Sequence, residues 1–500
     1  MRKNSLVGCA SAVLFAAISA SAGAQSDHSS VPHWAIVVHQ EAMEVHDPSS
    51  SASVPPGIFP PVLEQTFTSP DPSGEIETYN LAAPTVTKNN PFFQSLGTNG
   101  RACVTCHEPR SAWGVSAASI QERFYASGGT DPIFRIVDGA TCPSDPVSTF
   151  SDKLKAYNLL LTKGLIRIFL PLPATPDFEI TAVNDPYGCT DLTGTPPTVS
   201  VYRRPLPSTN LNFLTECPPG KPGCAPLSIM SDGREPSLAS QAFDATQGHA
   251  QANPDVPKAE QIRKIVAFES AIFDAQVFDS EAGLLFDDGA TGGPAALSQQ
   301  QFFIGINDSL SPGFNPDVFT LYDAWQNSLN PDRASVARGE AIFNTRQFTI
   351  HGVNGLNLFS TDPLGANDVT GTCTTCHDSP NVGIHSRKLA LNIGVADAIP
   401  PVLDVSDLPS FTVNCTDKTG PLAGHVFNVT DLGRAMISGN CADVGKVKGP
   451  ILHGLAARAP YFHNGSAASL DDVVNFYDQR FNIGLTDQDK VDLVNFLQTL

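Results

Sequence analysis

The chain has 500 residues, 41% hydrophobic and 16% charged, a globular composition that excludes a disordered polymer. Its formal charge of −20 speaks against a nucleic-acid partner and against binding to an anionic membrane surface. Beyond the N-terminus no run approaches the ~18 apolar residues of a membrane span, so no spanning helix is expected.

Residues 1–24 read as a secretory signal peptide. Arg2 and Lys3 form a basic start, Leu6 to Ile18 is apolar or small, and Ala22-Gly23-Ala24 fits a cleavage site. Leu6-Val7-Gly8-Cys9 resembles a lipobox, but too few residues precede it for a basic region plus an apolar core. Export to the periplasm is therefore expected. Residues 25–88, rich in Pro, Ser and Thr, read as an extended N-terminal arm. Residues 89–330 form a first expected domain, with a loop-rich, cysteine-bearing stretch inside it. Within this domain Lys258 to Phe278 shows helical spacing of Ile262, Ile265, Val266, Ile272 and Phe273, marred by Glu269 on the apolar stripe. Asn330-Pro331-Asp332 breaks the chain, and Ser335 is positioned to cap a helix from Val336. That opens a second domain, residues 331–500, ending in a helix over Gln488 to Leu500.

Two pentapeptides carry the chemistry: Cys103-Val104-Thr105-Cys106-His107 and Cys373-Thr374-Thr375-Cys376-His377. In a CxxCH motif both thiols add to the vinyl groups of one haem, and the adjacent His ligates its iron. Zinc is the rival for CxxC, but zinc ribbons need two such pairs close in sequence. Each pair here has its own His and lies far from the other. Two covalently bound c-type haems are expected, with His107 and His377 as iron ligands. Six further cysteines follow the signal: Cys142, Cys189, Cys217, Cys224, Cys415 and Cys441. In an oxidising compartment an even remainder suggests disulfides. Proximity favours 142–189, 217–224 and 415–441, among the fifteen possible connectivities.

Leu432-Gly433-Arg434, Gly445 to Leu452, and Ala459-Pro460-Tyr461-Phe462-His463-Asn464-Gly465 resemble the C-terminal signature of bacterial di-haem cytochrome c peroxidases and MauG-type enzymes. The resemblance covers roughly residues 90–500 and is looser in the first half. It implies a mainly α fold of two cytochrome c-like helical domains, here with long loop-rich insertions. The N-terminal haem would react with hydrogen peroxide, and the C-terminal haem would hold or deliver electrons to a small donor protein or a protein substrate.

In that register Tyr477 stands where the peroxidases place a Met ligand, similar to the MauG branch. A phenolate stabilises oxidised iron more than a thioether does. Gln241, seven residues after Arg234, matches the family's distal Gln. The distal Glu position falls on Gln251, whose amide cannot shuttle a proton; His249, two residues away, can. Gln241 and His249 are thus the expected catalytic pair. Arg203 and Arg204 are expected to pair with haem propionates. Ser231 replaces the family's inter-haem Trp, leaving Trp113, a Tyr or no side-chain relay to carry electrons. The family's calcium would fall to Asn210 or Asn212 with the Arg458 and Pro460 carbonyls. Two rivals remain: a di-haem oxygenase acting on an organic substrate, and a non-enzymatic electron-transfer cytochrome.

Overall fold

The structure, a computed structural model, describes residues 60–500; the expected signal at 1–24 and the arm up to residue 59 lie outside the described residues. Within the rest of that arm, strands β1 (Thr66–Asp71) and β2 (Gly74–Asn80) form a hairpin. Asp71 closes its turn by accepting hydrogen bonds from the backbone amides of Ser73 and Gly74 at 2.8 and 3.0 Å, a local use for which Asp is suited. Ile76, Thr78 and Asn80 alternate into the interior.

Three more strands lie in the cysteine-rich stretch, β3 (Ile166–Pro171), β4 (Phe178–Asn184) and β5 (Thr198–Arg203), with β3 antiparallel to β5. Strand β6 (Ile272–Asp279) pairs with β2. Strands β7 (Ser410–Cys415) and β8 (Val426–Val429) complete the longer ones, and β4 adds to the edge of β7. That pairing ties sequence from either side of residue 330 into one three-stranded sheet. The disulfides are 142–189, 217–224 and 415–441, as expected.

Among the described residues six helices run eleven residues or longer: α1 (Ala117–Ser127), α2 (Leu238–Gly248), α3 (Ala259–Glu269), α4 (Pro331–Thr345), α5 (Leu470–Phe481) and α6 (Asp487–Gln498). The expected helix over 258–278 stops at Glu269. The β-branched and aromatic residues that follow are buried on consecutive positions from Ile272 to Gln276, as suits a strand flanked on both edges. Helix α4 begins five residues before the expected Val336. Asn330, not Ser335, is its cap, accepting from the amides of Asp332 and Arg333, and Pro331 fills the first helical position.

Ser335 instead packs inside, donating to Asp492 at 2.6 Å, and Arg338 binds the same carboxylate at 2.8 Å. Gly339 lets α4 and α6 meet closely: a Cβ there would lie 2.0 Å from the Asp492 carbonyl oxygen. Phe319, Tyr322, Trp325, Phe343 and Phe496 form the core beside this crossing.

The expectation of a mainly α fold is overturned. Helix accounts for 27% of the described residues and strand for 18%. The helices cluster around the two CxxCH motifs. The cysteine-bearing stretch expected to be loop-rich contains β3, β4 and β5, whose Ile, Val, Thr, Phe and Tyr residues suit strands. Among the described residues no helix is long and apolar enough to cross a membrane.

Candidate active site

Both CxxCH motifs take the same local shape. Cys103–Thr105 and Cys373–Thr375 each form one 3₁₀ turn. The Thr105 and Thr375 hydroxyls accept from the amides of Ala102 and Thr372 at 2.9 and 3.0 Å. The turn then aims the His inward, and its Nδ1 meets a backbone carbonyl: His107 that of Trp113 at 2.9 Å, His377 that of Gly383 at 2.7 Å. With Nδ1 held in this way, Nε2 is left as the free lone pair, the arrangement an axial ligand needs. Burial holds the His107 imidazole down at about 4, and the His377 imidazole also below its usual range, so both are neutral.

Every described cysteine outside the two motifs is in a disulfide, whereas Cys103, Cys106, Cys373 and Cys376 are free. Burial pushes the thiols of Cys103, Cys373 and Cys376 up to about 12.

Each motif opens on a cavity. The first is lined by Cys103, Cys106, His107, Asp138, Gln241 and His249. Ser237 caps α2, and Gln241, Ala245 and His249 follow at four-residue steps along one face of it. His249 is the helix's C-cap, and its Nδ1 lies 2.5 Å from Asp138 Oδ2. Asp138 is buried and also binds Arg101 Nη1 at 2.5 Å. Burial alone would raise the Asp138 carboxyl; the His249 hydrogen bond and the Arg101 charge outweigh it and hold the group below the usual range. Gln251 has φ +55°, and its side chain is turned away to Asn99. Glu269, the blemish on the expected apolar stripe, lines this cavity with one buried oxygen lacking a partner. Burial pushes its carboxyl up to about 8.

The second cavity is lined by Cys373, Cys376, His377 and, from α5, Tyr477. The Tyr477 ring packs on Phe462, Phe476 and Phe481, and burial, then the nearby Cys376 and Cys373, push its phenol up. Arg204, Lys448 and Arg458 face the same space, and no carboxylate among the described residues ion-pairs with any of them. Withdrawal from water pulls these cations down, to about 9, 8 and 10 respectively. Nε of Arg458 is buried there without a hydrogen-bond partner, and His463 Nε2 lies 3.5 Å from the Asp431 carboxylate. Cations and donors left over in an enclosed space call for an anionic ligand. Haem propionates are such anions, so thiols, imidazoles and cations together fit two haems.

Several expected residues sit elsewhere. Arg203 is not free for a propionate: it is buried between Asp431, at 2.6 and 2.8 Å, and Asp232, at 2.5 Å. The Asn210 amide is consumed in bracing β6, donating to the Asp274 carbonyl and accepting from its amide at 2.9 and 3.0 Å. Its side-chain oxygen is thus already engaged by a backbone amide. Asn212 lies in a short helical turn and donates to Glu216. Pro460 lines the second cavity. Trp113 lines neither cavity; it packs with Phe92, Phe93 and Phe268 on the His107 side. Pro205, Leu206, Pro207 and Lys448 line both cavities, and Ser231 accepts from the Lys448 amide. Asp138, Arg101 and Lys448 went unseen in the sequence, although Lys448 lies inside the C-terminal signature.

Comparison with known proteins bears on these cavities directly. A RoxA-like, cytochrome c-like family model matches residues 447–483, the segment from Lys448 through Tyr477. Cytochrome-c peroxidase IdrP2 of Denitromonas iodatirespirans is 34% identical over 139 residues, 26% of this chain and 36% of that protein. IdrP1 of the same organism is 29% identical over 144 residues, with the same coverage. Over these segments the chain is similar to cytochrome-c peroxidases and to a cytochrome c-like family model. Its matches span about a third of the length of these curated relatives. A crystal structure of a MauG-like protein associated with microbial copper homeostasis aligns over 90% of this chain and 95% of that one, at 14% identity and a TM-score of 0.37. The lining of the two cavities fits haem as a cofactor.

Proposed function

We propose that the chain is an exported, MauG-like di-haem peroxidase with two covalently bound c-type haems. Residues 89–330 would carry the peroxide-reactive haem on His107, and residues 331–500 the electron-storing haem on His377 and Tyr477. The observation that carries this reading is the pairing of His249 with Asp138 in the cavity of His107. The haem, when bound, supplies an iron that accepts and returns electrons. Asp138 fixes the His249 ring through Nδ1, leaving Nε2 free in the cavity. Nε2 takes a proton from hydrogen peroxide and returns it to the departing oxygen as water. Gln241, just over two turns back on the same helix face, orients the peroxide through its amide. Two electrons from a small donor protein or a protein substrate, with two protons from solvent, complete the reduction of peroxide to two waters.

The unpaired cysteines support covalent attachment, and haem remaining on the chain after acid–acetone extraction would bear it out; loss of haem to the solvent would contradict it. Three disulfides support an oxidising compartment such as the periplasm. The test of the reaction is stopped-flow mixing with hydrogen peroxide. His249→Ala is expected to slow peroxide consumption by about 10²–10⁴-fold, the usual contribution of a positioned acid–base group. An unchanged rate would remove His249 from the mechanism, and a wild-type protein inert to peroxide would remove the peroxidase reading altogether.

A further inference from the structure

A cation of the chain itself lines the second cavity, next in sequence to the residues that the two cavities share. Arg204 follows β5, and its guanidinium is wrapped by backbone carbonyls from three separate segments. Nη2 donates to the carbonyls of Val115 and Arg458, both at 2.6 Å, and Nη1 to that of Lys163 at 3.1 Å. The Arg204 amide is itself pinned to the His463 carbonyl at 2.7 Å. Val115 and Arg458 line the second cavity, and Pro205, next in the chain, lines both.

A ring of carbonyl oxygens is the environment that a hard cation such as Ca²⁺ takes. The oxygens on which the resemblance places calcium do not fit one. Asn210 Oδ1 is occupied by the Asp274 amide, and the Arg458 carbonyl is occupied by Arg204. A divalent ion on the Arg458 oxygen would sit within a few ångströms of the Arg204 charge, and the Asp274 carboxyl that acts on Arg458 is itself pushed well up by burial, toward its neutral form. Among the described residues no cluster of three His, Cys, Asp or Glu side chains offers another place for it.

We propose that Arg204 is a tethered replacement for an inter-haem metal cation, and that the protein joins its two haem sites without calcium. The guanidinium cross-links the segments holding Val115, Lys163 and Arg458, and presents its charge to the second cavity. The proposal rests on the di-haem reading, so the holoprotein is first checked by its haem absorption bands, which report that reading independently.

The test is elemental analysis and thermal unfolding of the holoprotein after passage over chelating resin. Calcium far below one ion per chain, and a Tm unmoved by EGTA or by millimolar CaCl₂, are expected. One calcium per chain, or a Tm that falls with EGTA and recovers with CaCl₂, overturns the proposal. Arg204→Asn removes the charge and offers an amide oxygen. It is expected to lower Tm by about 5 °C or more in EGTA. It should also give CaCl₂ a stabilising effect that the wild type lacks. An Arg204→Asn protein as stable as wild type in EGTA overturns the proposal too. Should that variant fail to accumulate, the wild-type measurements decide alone.

Discussion

His249 and Asp138 stand 111 positions apart in the chain and meet at 2.5 Å. Their contact is built by helix α2 ending at His249 and by Arg101, which anchors Asp138 from the other side. The four-residue spacing of Gln241, Ala245 and His249 was readable as a helix face. Asp138 was not, because nothing local marks a carboxylate that acts through folding alone. Glu269 was legible only as an anomaly, and its burial in the first cavity explains it. Its folded carboxyl titrates at about 8, above the ordinary 4.5, so burial disfavours the ionised form. Stability from this group is whole below about pH 4.5 and declines as pH rises toward 8. Glu269→Gln should therefore raise Tm at pH 8–9 and leave it unchanged near pH 5, with an upper bound of about 5 kcal/mol. A Tm difference independent of pH would show that the carboxyl is not buried in its neutral form.

Arg203 and Arg204 are neighbours with opposite fates, which no reading of a dipeptide could separate. Arg203 points into the pair of Asp232 and Asp431, and Arg204 into carbonyls. Burial alone would raise the Asp431 carboxyl, but Arg203 holds it at about 2. Asp431→Asn leaves Arg203 half-paired in a dry interior, at a cost of about 3–5 kcal/mol in chemical denaturation. A loss below about 1 kcal/mol would place the pair in a wetter setting than the structure gives it.

At the scale of elements, the termini of helices were set by capping chemistry more than by apolar periodicity. The periodic stripe of α3 continues in sequence through Phe273, yet the chain turns at Ser270 into β6. Periodicity does not register the edge of β2 waiting for a partner. Asn330 and Pro331 signal a helix start as clearly as a chain break, and the structure uses them as the start. The crossing of α4 and α6 depends on Gly339, where a methyl group would meet the Asp492 carbonyl. Gly339→Ala should cost about 1–3 kcal/mol in thermal unfolding, as overpacking does. If the substitution were neutral, the helices would have to be free to separate.

Across the whole molecule, the two CxxCH motifs and the three disulfides could be read from sequence because each depends on spacing or proximity. The proportion of strand could not. It arises where short runs find distant edges, as β4 finds β7. The cavities also share residues: Lys448 from the C-terminal part lines the first, and Arg204 from the N-terminal part lines the second. The sites are joined by Pro205, Leu206, Pro207 and Lys448, without an aromatic ring at Ser231. Electron exchange between them is then expected to be insensitive to Trp113→Phe, measured as the rate of inter-haem equilibration after partial reduction. Slowing by tenfold or more would place the indole on the route.

The central claim is that the two haem sites are unequal, one open to peroxide and one closed by Tyr477. Low-temperature EPR of the diferric protein measures this most directly. One high-spin signal from the His107 site is expected, together with one low-spin signal that alone changes in Tyr477→Met. Two low-spin signals, or a Tyr477→Met spectrum identical to wild type, would contradict it.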